Sequence, residues 1–321
     1  MGQRFVADWN TVWPSSAPVG IAVSGGPDSL ALLLLAVAAS PGRVVAATVD
    51  HGLRRESKAE AAAVAALCAQ RGIAHTTLTV NLKAGSALQE RARAARYAAL
   101  GEWAEAHGIK AIATAHHADD QAETVLMRLN RGAGVRGLAA MRAVSAVPGH
   151  PGCALLRPLL GWRRSELASV VTDAGLNPVD DPSNRDPRFE RARLRQDLGG
   201  MPWLDAAAIA ASASHLAEAD AAIDWAADRA LDAAVFDGKT IGWPPDEVPR
   251  AIALRVLERI AARLGGGVSR GSGLARWHDR LAAGEIATLS GVRGDGREAV
   301  WHFKQAPPPR TREEMGRKES P

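Results

Sequence analysis

Ile21-Ala22-Val23-Ser24-Gly25-Gly26-Pro27-Asp28-Ser29-Leu30-Ala31-Leu32-Leu33-Leu34-Leu35 decides the fold. Apolar, largely β-favouring residues run into a Ser-Gly-Gly turn, and the leucine-rich run that follows is too long for another short strand. The stretch reads as strand, tight loop, helix. Two adjacent glycines let the backbone approach a ligand closely and adopt φ > 0. Main-chain N–H groups at the helix start, together with its dipole, attract an anion. Ser24 and Ser29 add hydroxyl donors, and Pro27 suits the first helical turn. The loop is not a Walker A loop, because no Lys follows the glycines. A Gly-Gly turn by itself can simply cap a strand; the combination with Asp28 and two serines points to phosphates.

Outward from this loop, Arg43–Val49 is a second β-like run, closed by the polar cluster Asp50-His51-Gly52-Leu53-Arg54. Open α/β sheets bind ligands at the C-terminal ends of their strands, although such a cluster can also be a solvated turn. Ser57–Arg71 has helical spacing and stops at Gly72. Ala74–Val80 is a third strand, Gln89–His107 a helix carrying Arg91, Arg93, Arg96 and Tyr97, and Lys110–Ala115 a fourth strand. Strands alternating with helices predict an α/β fold with a doubly wound, mainly parallel sheet.

The densest polar constellation follows the fourth strand: His116-His117-Ala118-Asp119-Asp120-Gln121-Ala122-Glu123-Thr124, with Ala122–Leu129 continuing as a helix. His116, Asp120 and Glu123 share one face if the stretch is helical. His117, Asp119 and Asp120 offer a metal site as an alternative, and acids at a helix start can be dipole partners alone. Two His and three acids together exceed what capping requires. Arg128 and Arg131-Gly132-Ala133-Gly134-Val135-Arg136-Gly137 form a basic, glycine-spaced turn able to pair with phosphates. Cys153–Leu160 is a last strand, leading into a helix over Ser165–Ala174. The turn-rich loop Asp180–Pro187 precedes Arg188, Arg191, Arg193 and Arg195, a set suited to an RNA backbone.

Beyond Met201-Pro202-Trp203 the composition shifts to alanine-rich helices, Ala206–Ala234 with Trp225 as a core anchor, then Glu247–Leu264. Ala287–Ser290 and Ala299–Phe303 read as a small hairpin around Gly294-Asp295-Gly296. We therefore expect a catalytic domain over 1–200, a mostly helical domain over 201–306 and a disordered tail over 307–321. The 321 residues are 47% hydrophobic with a formal net charge of +4, which leaves ample core and mildly favours a polyanionic partner. Two cysteines, Cys68 and Cys153, lie far apart and make no disulfide scaffold, zinc knuckle or cysteine-held cluster. No signal segment or membrane-length apolar run is evident, so the expected location is the cytoplasm.

SGGPDS resembles the pyrophosphate loop of the N-type ATP pyrophosphatases, which cleave ATP between its α- and β-phosphates. With VDHGLR, HHADDQAETVLMRLNRGAG, RPLL and DPSNRDPRFERARLR following in order, the chain resembles the bacterial tRNA(Ile)-lysidine synthases, strongly over residues 20–196. The resemblance implies an adenine nucleotide α-hydrolase-like catalytic domain, a C-terminal domain that contacts tRNA, and a homodimer. It implies ligation of L-lysine to C2 of cytidine 34 in the CAU anticodon of tRNA(Ile), through an adenylated cytidine, using ATP and Mg²⁺. Decoding changes from AUG to AUA.

Carried over position by position, Ser24, Gly25, Gly26, Pro27, Asp28 and Ser29 would hold ATP's phosphates, with Asp28 on Mg²⁺. Asp50 and His51 would border the nucleotide, and Arg128, Arg131, Gly132 and Gly134 would line the ATP side. Asp28, His116, Asp120 and Glu123 match catalysis-associated positions, and Arg96, Asp120 and Glu123 the lysine-binding ones. Asn184, Arg191 and Arg195 match positions tied to the tRNA. The sequence departs from the family pattern where Ala192 replaces an Asn, and where Ala140 stands at a position commonly Gly. Rival readings are a tRNA thiolase, a small-molecule ligase of the same superfamily, and a tRNA-binding protein without catalysis. The two isolated cysteines, the arginine-rich 185–195 segment and the intact Ser24–Ser29 loop argue against them in turn.

Overall fold

The computed structural model describes residues 1–52, 56–82, 85, 87–179, 190–201, 203–245, 247–267 and 271–307. The chain divides into two compact units, Met1–Ala217 and Glu218–Pro321.

The first unit is built on six strands, β1 (Val19–Ala22), β2 (Val44–Asp50), β3 (Ala74–Thr79), β4 (Ala111–Ala113), β5 (Val144–Val147) and β6 (His150–Leu156). Their order is β3-β2-β1-β4-β6-β5, and every pair is parallel except β5–β6. The doubly wound, mainly parallel sheet expected from the sequence is present. The edge strand β5 is an addition to that expectation. Its four residues give two alternations only, but Pro148-Gly149, with Gly149 at φ +82, marks the hairpin that returns the chain. The last parallel strand ends at Leu156, because Pro158 cannot extend it.

Period-two alternation sends side chains to two separate cores. Val19, Ile21, Val44, Ala46 and Leu156 pack beneath α1 (Gly2–Val12), α2 (Pro27–Ala39), α3 (Glu56–Gln70) and α7 (Arg164–Asp173). Ala47, Ile112 and Leu155 face Tyr97, Leu100 and Trp103 of α4 (Leu88–Ala106) on the other side. Burial of this kind is worth roughly 1.5–3 kcal/mol per large side chain, which is why short strands of only three or four residues persist here. α1 closes the first core with Phe5 and Trp9, against Trp162, whose indole donates to Asp8 at 2.8 Å. The unit also holds α5 (Ala118–Leu129), the single turn α6 (Val135–Leu138), α8 (Glu190–Gly199) and the start of α9 (Ala206–Leu231).

The second unit contains the rest of α9, α10 (Arg250–Arg263), α11 (Gly271–Ala282) and an antiparallel sheet. Its strands are β7 (Val235–Phe236), β8 (Thr240–Trp243), β9 (Ile286–Leu289), β10 (Val292–Asp295) and β11 (Trp301–Gln305), in the order β7-β8-β11-β10-β9. The sequence announced one hairpin in which 287–290 meets 299–303. Instead β10 lies between them and pairs with both. The strands are short and two carry mid-strand glycines, Gly242 and Gly294, which suppress the local β signal.

Trp225 corrects the sequence reading. It is 63% exposed, with the Arg229 guanidinium 5.1 Å from its ring. The inward stripe of α9 carries charge: Asp220 is buried against Arg255 at 2.6 Å, and Asp224 pairs with Arg255 and Arg259. A search for apolar periodicity misses a stripe satisfied by ion pairs. The core tryptophans are Trp243, Trp277 and Trp301. Among the described residues no helix is long and apolar enough to cross a membrane.

Candidate active site

Strand order places β1 between β2 and β4, so chain connections diverge on either side of it. The crevice beyond the C-terminal ends of such strands is where open α/β sheets take their ligands. The Ser24–Ser29 loop leaves β1 here, Asp50-His51 leaves β2, and His116-His117 leaves β4. One topological fact gathers three motifs scattered over almost a hundred residues.

The loop folds on its own serines. Ser24 N–H donates to Ser29 Oγ at 3.1 Å, and Ser29 Oγ donates to the Gly26 carbonyl at 2.9 Å. Gly25 sits at φ +85, and a Cβ there would lie 3.2 Å from Val179 Cγ2 and 3.3 Å from Val64 Cγ2. Gly26 caps α2 and Pro27 begins it. The opening amides of α2 have no acceptor within the helix, and its dipole adds partial positive charge.

At the end of β2, Asp50 accepts from Gly52 N–H at 2.9 Å and Ser57 Oγ at 2.7 Å. The Ser57 hydrogen bond, then that of Gly52, hold its carboxyl below the usual range. Asp50 therefore ties Gly52, just after β2, to Ser57 in the first turn of α3. His51 is different: both ring nitrogens are buried with no partner among the described residues. Burial and the nearby Arg96 charge push its pKa down, leaving a neutral ring able to donate and accept. Arg96 itself is exposed on α4.

The two adjacent histidines after β4 have opposite characters. His116 bonds Thr114 Oγ1 through Nδ1 at 3.0 Å. Burial, reinforced by Arg157, Arg93 and Arg191 against the pull of Asp120, lowers its pKa to about 4. It is neutral at physiological pH. His117 is 2% exposed, and burial alone would lower its pKa, yet the surrounding carboxylates raise it to about 10. Its Nε2 lies 3.5 Å from Asp28 Oδ2 and 3.5 Å from Asp120 Oδ2, and Nδ1 lies 3.5 Å from Asp119 Oδ2. The trio His117, Asp119 and Asp120, read from sequence as an alternative metal site, is an imidazolium among carboxylates. Among the described residues no His, Cys, Asp and Glu group has the geometry to hold a metal ion by itself. His117 thereby ties the phosphate loop to α5. Adjacent acids in the sequence hinted at a partner for it; the arrival of Asp28 from α2 did not show there.

Glu123 is 1% exposed. Its Oε1 accepts from Arg195 Nε at 2.7 Å, and its Oε2 is buried without a partner among the described residues. Arg195 Nη2 is 3.8 Å from Asp120 Oδ1, and Arg191 Nη2 donates to Thr124 Oγ1 at 3.3 Å. α8, a helix that the sequence reading lacks, sets Arg191 and Arg195 one turn apart against α5. Ala192, where the family pattern has Asn, is buried. Asn184 lies outside the described residues.

Arg128 is committed to the backbone, donating to the carbonyls of Gly137 at 2.8 Å and Ala140 at 3.1 Å. Arg131 forms an exposed ion pair with Glu190. Gly132 takes φ +70 and Gly134 caps α6. Ala140, two residues beyond α6, has φ +48, which explains why glycine suits this position. Ala140→Gly is expected to raise stability by up to about 1 kcal/mol, read as a higher urea midpoint.

Behind α5 opens a cavity of about 200 Å³, lined by Asp119, Glu123, Arg163, Arg164 and Arg195 on its polar side and by Leu198, Leu204 and Ile209 on its apolar side. Asp119 accepts from Arg164 N–H at 2.9 Å. Its carboxyl would be raised by burial, but His117, Arg164 N–H and Arg163 hold it at about 2. Arg163 and Arg164 were not candidates from sequence; only the fold brings them to α5. Cys68 and Cys153 are buried in opposite cores, and burial raises both thiols.

A PP-loop domain family model matches residues 3–201. A tRNA(Ile)-lysidine synthase from Novosphingobium aromaticivorans is 58% identical over 305 residues, 95% of this chain and 93% of that protein. Another from Zymomonas mobilis is 44% identical, covering 92% and 90%. Among solved structures, a U34-tRNA thiolase from Methanococcus maripaludis superposes with a TM-score of 0.54 at 19% identity, covering 67% of this chain and 79% of that one; this likeness concerns the fold alone. Sequence identity sustained over nearly the whole length, on a PP-loop sheet with its phosphate loop and acid cluster meeting at the switch point, means that the chain belongs to the tRNA(Ile)-lysidine synthase family.

Proposed function

We propose that the chain joins L-lysine to C2 of cytidine 34 in the CAU anticodon of tRNA(Ile), consuming ATP and releasing pyrophosphate and AMP. The observation that carries this reading is the bridge His117 makes between Asp28 of the phosphate loop and Asp119 and Asp120 of α5, which couples an ATP site to an acid cluster.

In the first step the C2 oxygen of the cytosine attacks the α-phosphorus of ATP and pyrophosphate leaves. The opening amides of α2 and the Ser24–Gly26 backbone supply preorganised positive potential for that charge. Neutral His51, whose ring nitrogens have no partner among the described residues, suits contact with the nucleotide. Asp28 Oδ1 is buried and unpartnered among the described residues, a hard oxygen donor that fits Mg²⁺. Asp28 would hold the ion, which would supply neutralisation of the phosphate charge.

In the second step the lysine ε-amine attacks C2, loses a proton, and AMP departs with the former carbonyl oxygen. An amine with a pKa near 10.4 must be neutral to attack, so a carboxylate in reach can serve as base. Asp120 and Glu123 share the roles of base and lysine anchor. The cavity behind α5 suits a lysine beside Glu123: Asp119 and Glu123 match the ammonium groups, its arginines the carboxylate, and its leucines the methylene chain. Arg96, whose charge acts on His51, would meet the lysine from the nucleotide side, and Arg191 and Arg195 serve the tRNA phosphates or the activated base. His116, neutral, offers a hydrogen bond and no proton.

The test is incorporation of labelled L-lysine into tRNA(Ile) bearing CAU, beside the same tRNA with U34. We expect label in the C34 tRNA only, with one AMP released per lysine. ATP consumption without label would move the chain to another tRNA-modifying activity of the PP-loop fold.

A further inference from the structure

Thr114 directly follows β4 and is buried, 8% exposed. Its N–H extends the parallel ladder by donating to the Leu156 carbonyl at 2.9 Å. Its hydroxyl lies between that same carbonyl, at 3.4 Å, and Nδ1 of His116, at 3.0 Å. Among the described residues the hydroxyl has no other partner.

A threonine hydroxyl has one proton to give. The Leu156 carbonyl already receives an N–H, and 3.4 Å exceeds the roughly 2.5–3.0 Å of an effective O–H···O bond. Nδ1 of His116 is the closer acceptor, so the hydroxyl proton goes there. A neutral imidazole carries a single proton, and with Nδ1 accepting, that proton sits on Nε2. The opposite arrangement, Nδ1–H donating to Oγ1, would leave the hydroxyl proton only the long contact to Leu156.

The charges around the ring fit a donor. Burial keeps His116 neutral, reinforced by Arg157 beyond β6, Arg93 of α4 and Arg191 of α8, with Asp120 of α5 as the opposing acid. Arg157 is itself buried, and its hydrogen-bond partners are neutral: the Arg142 carbonyl at 2.7 Å, Ser145 Oγ at 3.1 Å and the Tyr97 hydroxyl. Among the described residues no carboxylate pairs with it, so it adds positive potential beside His116. An N–H in positive potential suits an anionic oxygen, whereas a base needs a lone pair that Nε2–H lacks. β4 pairs with β1, whose C-terminal end opens into the phosphate loop, so the anionic oxygens expected at this end of β4 are phosphoryl ones.

We propose that Thr114 is a positioning residue for the lysine-joining reaction: its hydroxyl fixes the His116 proton on Nε2, so that His116 donates a hydrogen bond to the α-phosphoryl oxygens and does not act as a base. The inference rests on the proposed reaction and deepens it, because the proton lost by the lysine amine must then go to Asp120 or Glu123.

The tautomer can be read without any reaction. In the intact chain labelled with 15N-histidine, long-range 1H–15N correlations at neutral pH, assigned by the signals missing in H116Q, should show a bare Nδ1 and a protonated Nε2 at His116. Steady-state lysine incorporation then compares wild type, T114V, T114S, H116Q and H116A. T114V keeps the shape and removes the proton donor, so kcat should fall about tenfold while KM for ATP and for lysine stays within about twofold. T114S keeps the hydroxyl and should restore kcat to within about threefold of wild type. H116Q, whose amide donates but takes no proton, should retain at least about tenfold more activity than H116A. A protonated Nδ1 in the wild-type spectrum overturns the proposal, as does T114V with wild-type kcat or H116Q no more active than H116A. Failure of the reaction assignment is seen separately: wild type would then put no lysine into tRNA(Ile), while the spectrum would still report the tautomer.

Discussion

Asp28→Asn is expected to lower lysine incorporation by about a thousandfold, equivalent to ~4 kcal/mol of transition-state stabilisation, while leaving tRNA binding nearly intact. Asparagine keeps the shape of the side chain at the start of α2 and removes its charge. The buried Oδ1, without a partner among the described residues, then loses its value as a cation ligand beside the phosphates. The fold should survive, because Asp119 and Asp120 remain to neutralise His117. Calorimetric titration with Mg·ATP reads the nucleotide side and equilibrium binding reads the tRNA side. Loss of both together would point to misfolding and remove the case for a phosphate-site role.

His117→Asn should have the largest effect on stability. A neutral residue here leaves Asp28, Asp119 and Asp120 converging without their cation, and removing one partner from a buried ionic cluster costs about 3–5 kcal/mol. The pH dependence has a definite sign. The folded-state pKa of His117 is raised from 6.5 to about 10, so its contribution is fully present below pH 6.5. It is lost as pH rises through 10. On the acid side, the carboxyl of Asp119 is lowered from 3.8 to about 2, so its share is present above pH 3.8 and lost as pH falls through 2. Urea unfolding of wild type and His117→Asn, compared at intervals from pH 6 to 10, should show the gap between them closing. A gap that stays constant over this window would mean that the imidazolium is not the clamp.

Local chemistry settles a good part of this protein. The Val23-to-Leu30 transition from β-favouring residues through Gly-Gly to leucines admits little except strand, loop and helix, because the signals are local: periodicity, positive φ and Pro at the helix start. The same logic finds β2, β3, β4 and α4. It also finds the basic glycine turn, where Ala140 at φ +48 shows a residue held against its preference. Composition and the wide spacing of two cysteines are enough to set aside disulfide and cluster chemistry.

What stays hidden in the linear order depends on partners far away in the chain. His116 and His117 are neighbours with the same side chain. One is pushed to about 4 by burial among arginines and the other to about 10 by carboxylates, one of which arrives from α2. No sequence window contains that difference. Trp225 looks like a core residue because tryptophan is apolar, whereas the inward stripe of α9 is satisfied by Arg255 and Arg259 from α10. Strands such as β5 and β10 carry too few alternations to announce themselves, so pairing partners decide them. Arg163 and Arg164 reach Asp119 only because the start of α7 meets the first turn of α5, and Arg293 meets Lys304 only through β-sheet register. Sequence determined which groups the chain possesses and the local elements that carry them. Tertiary structure alone decided which charges meet, because the desolvation and Coulomb energies that fix ionisation depend on distances the linear order does not encode.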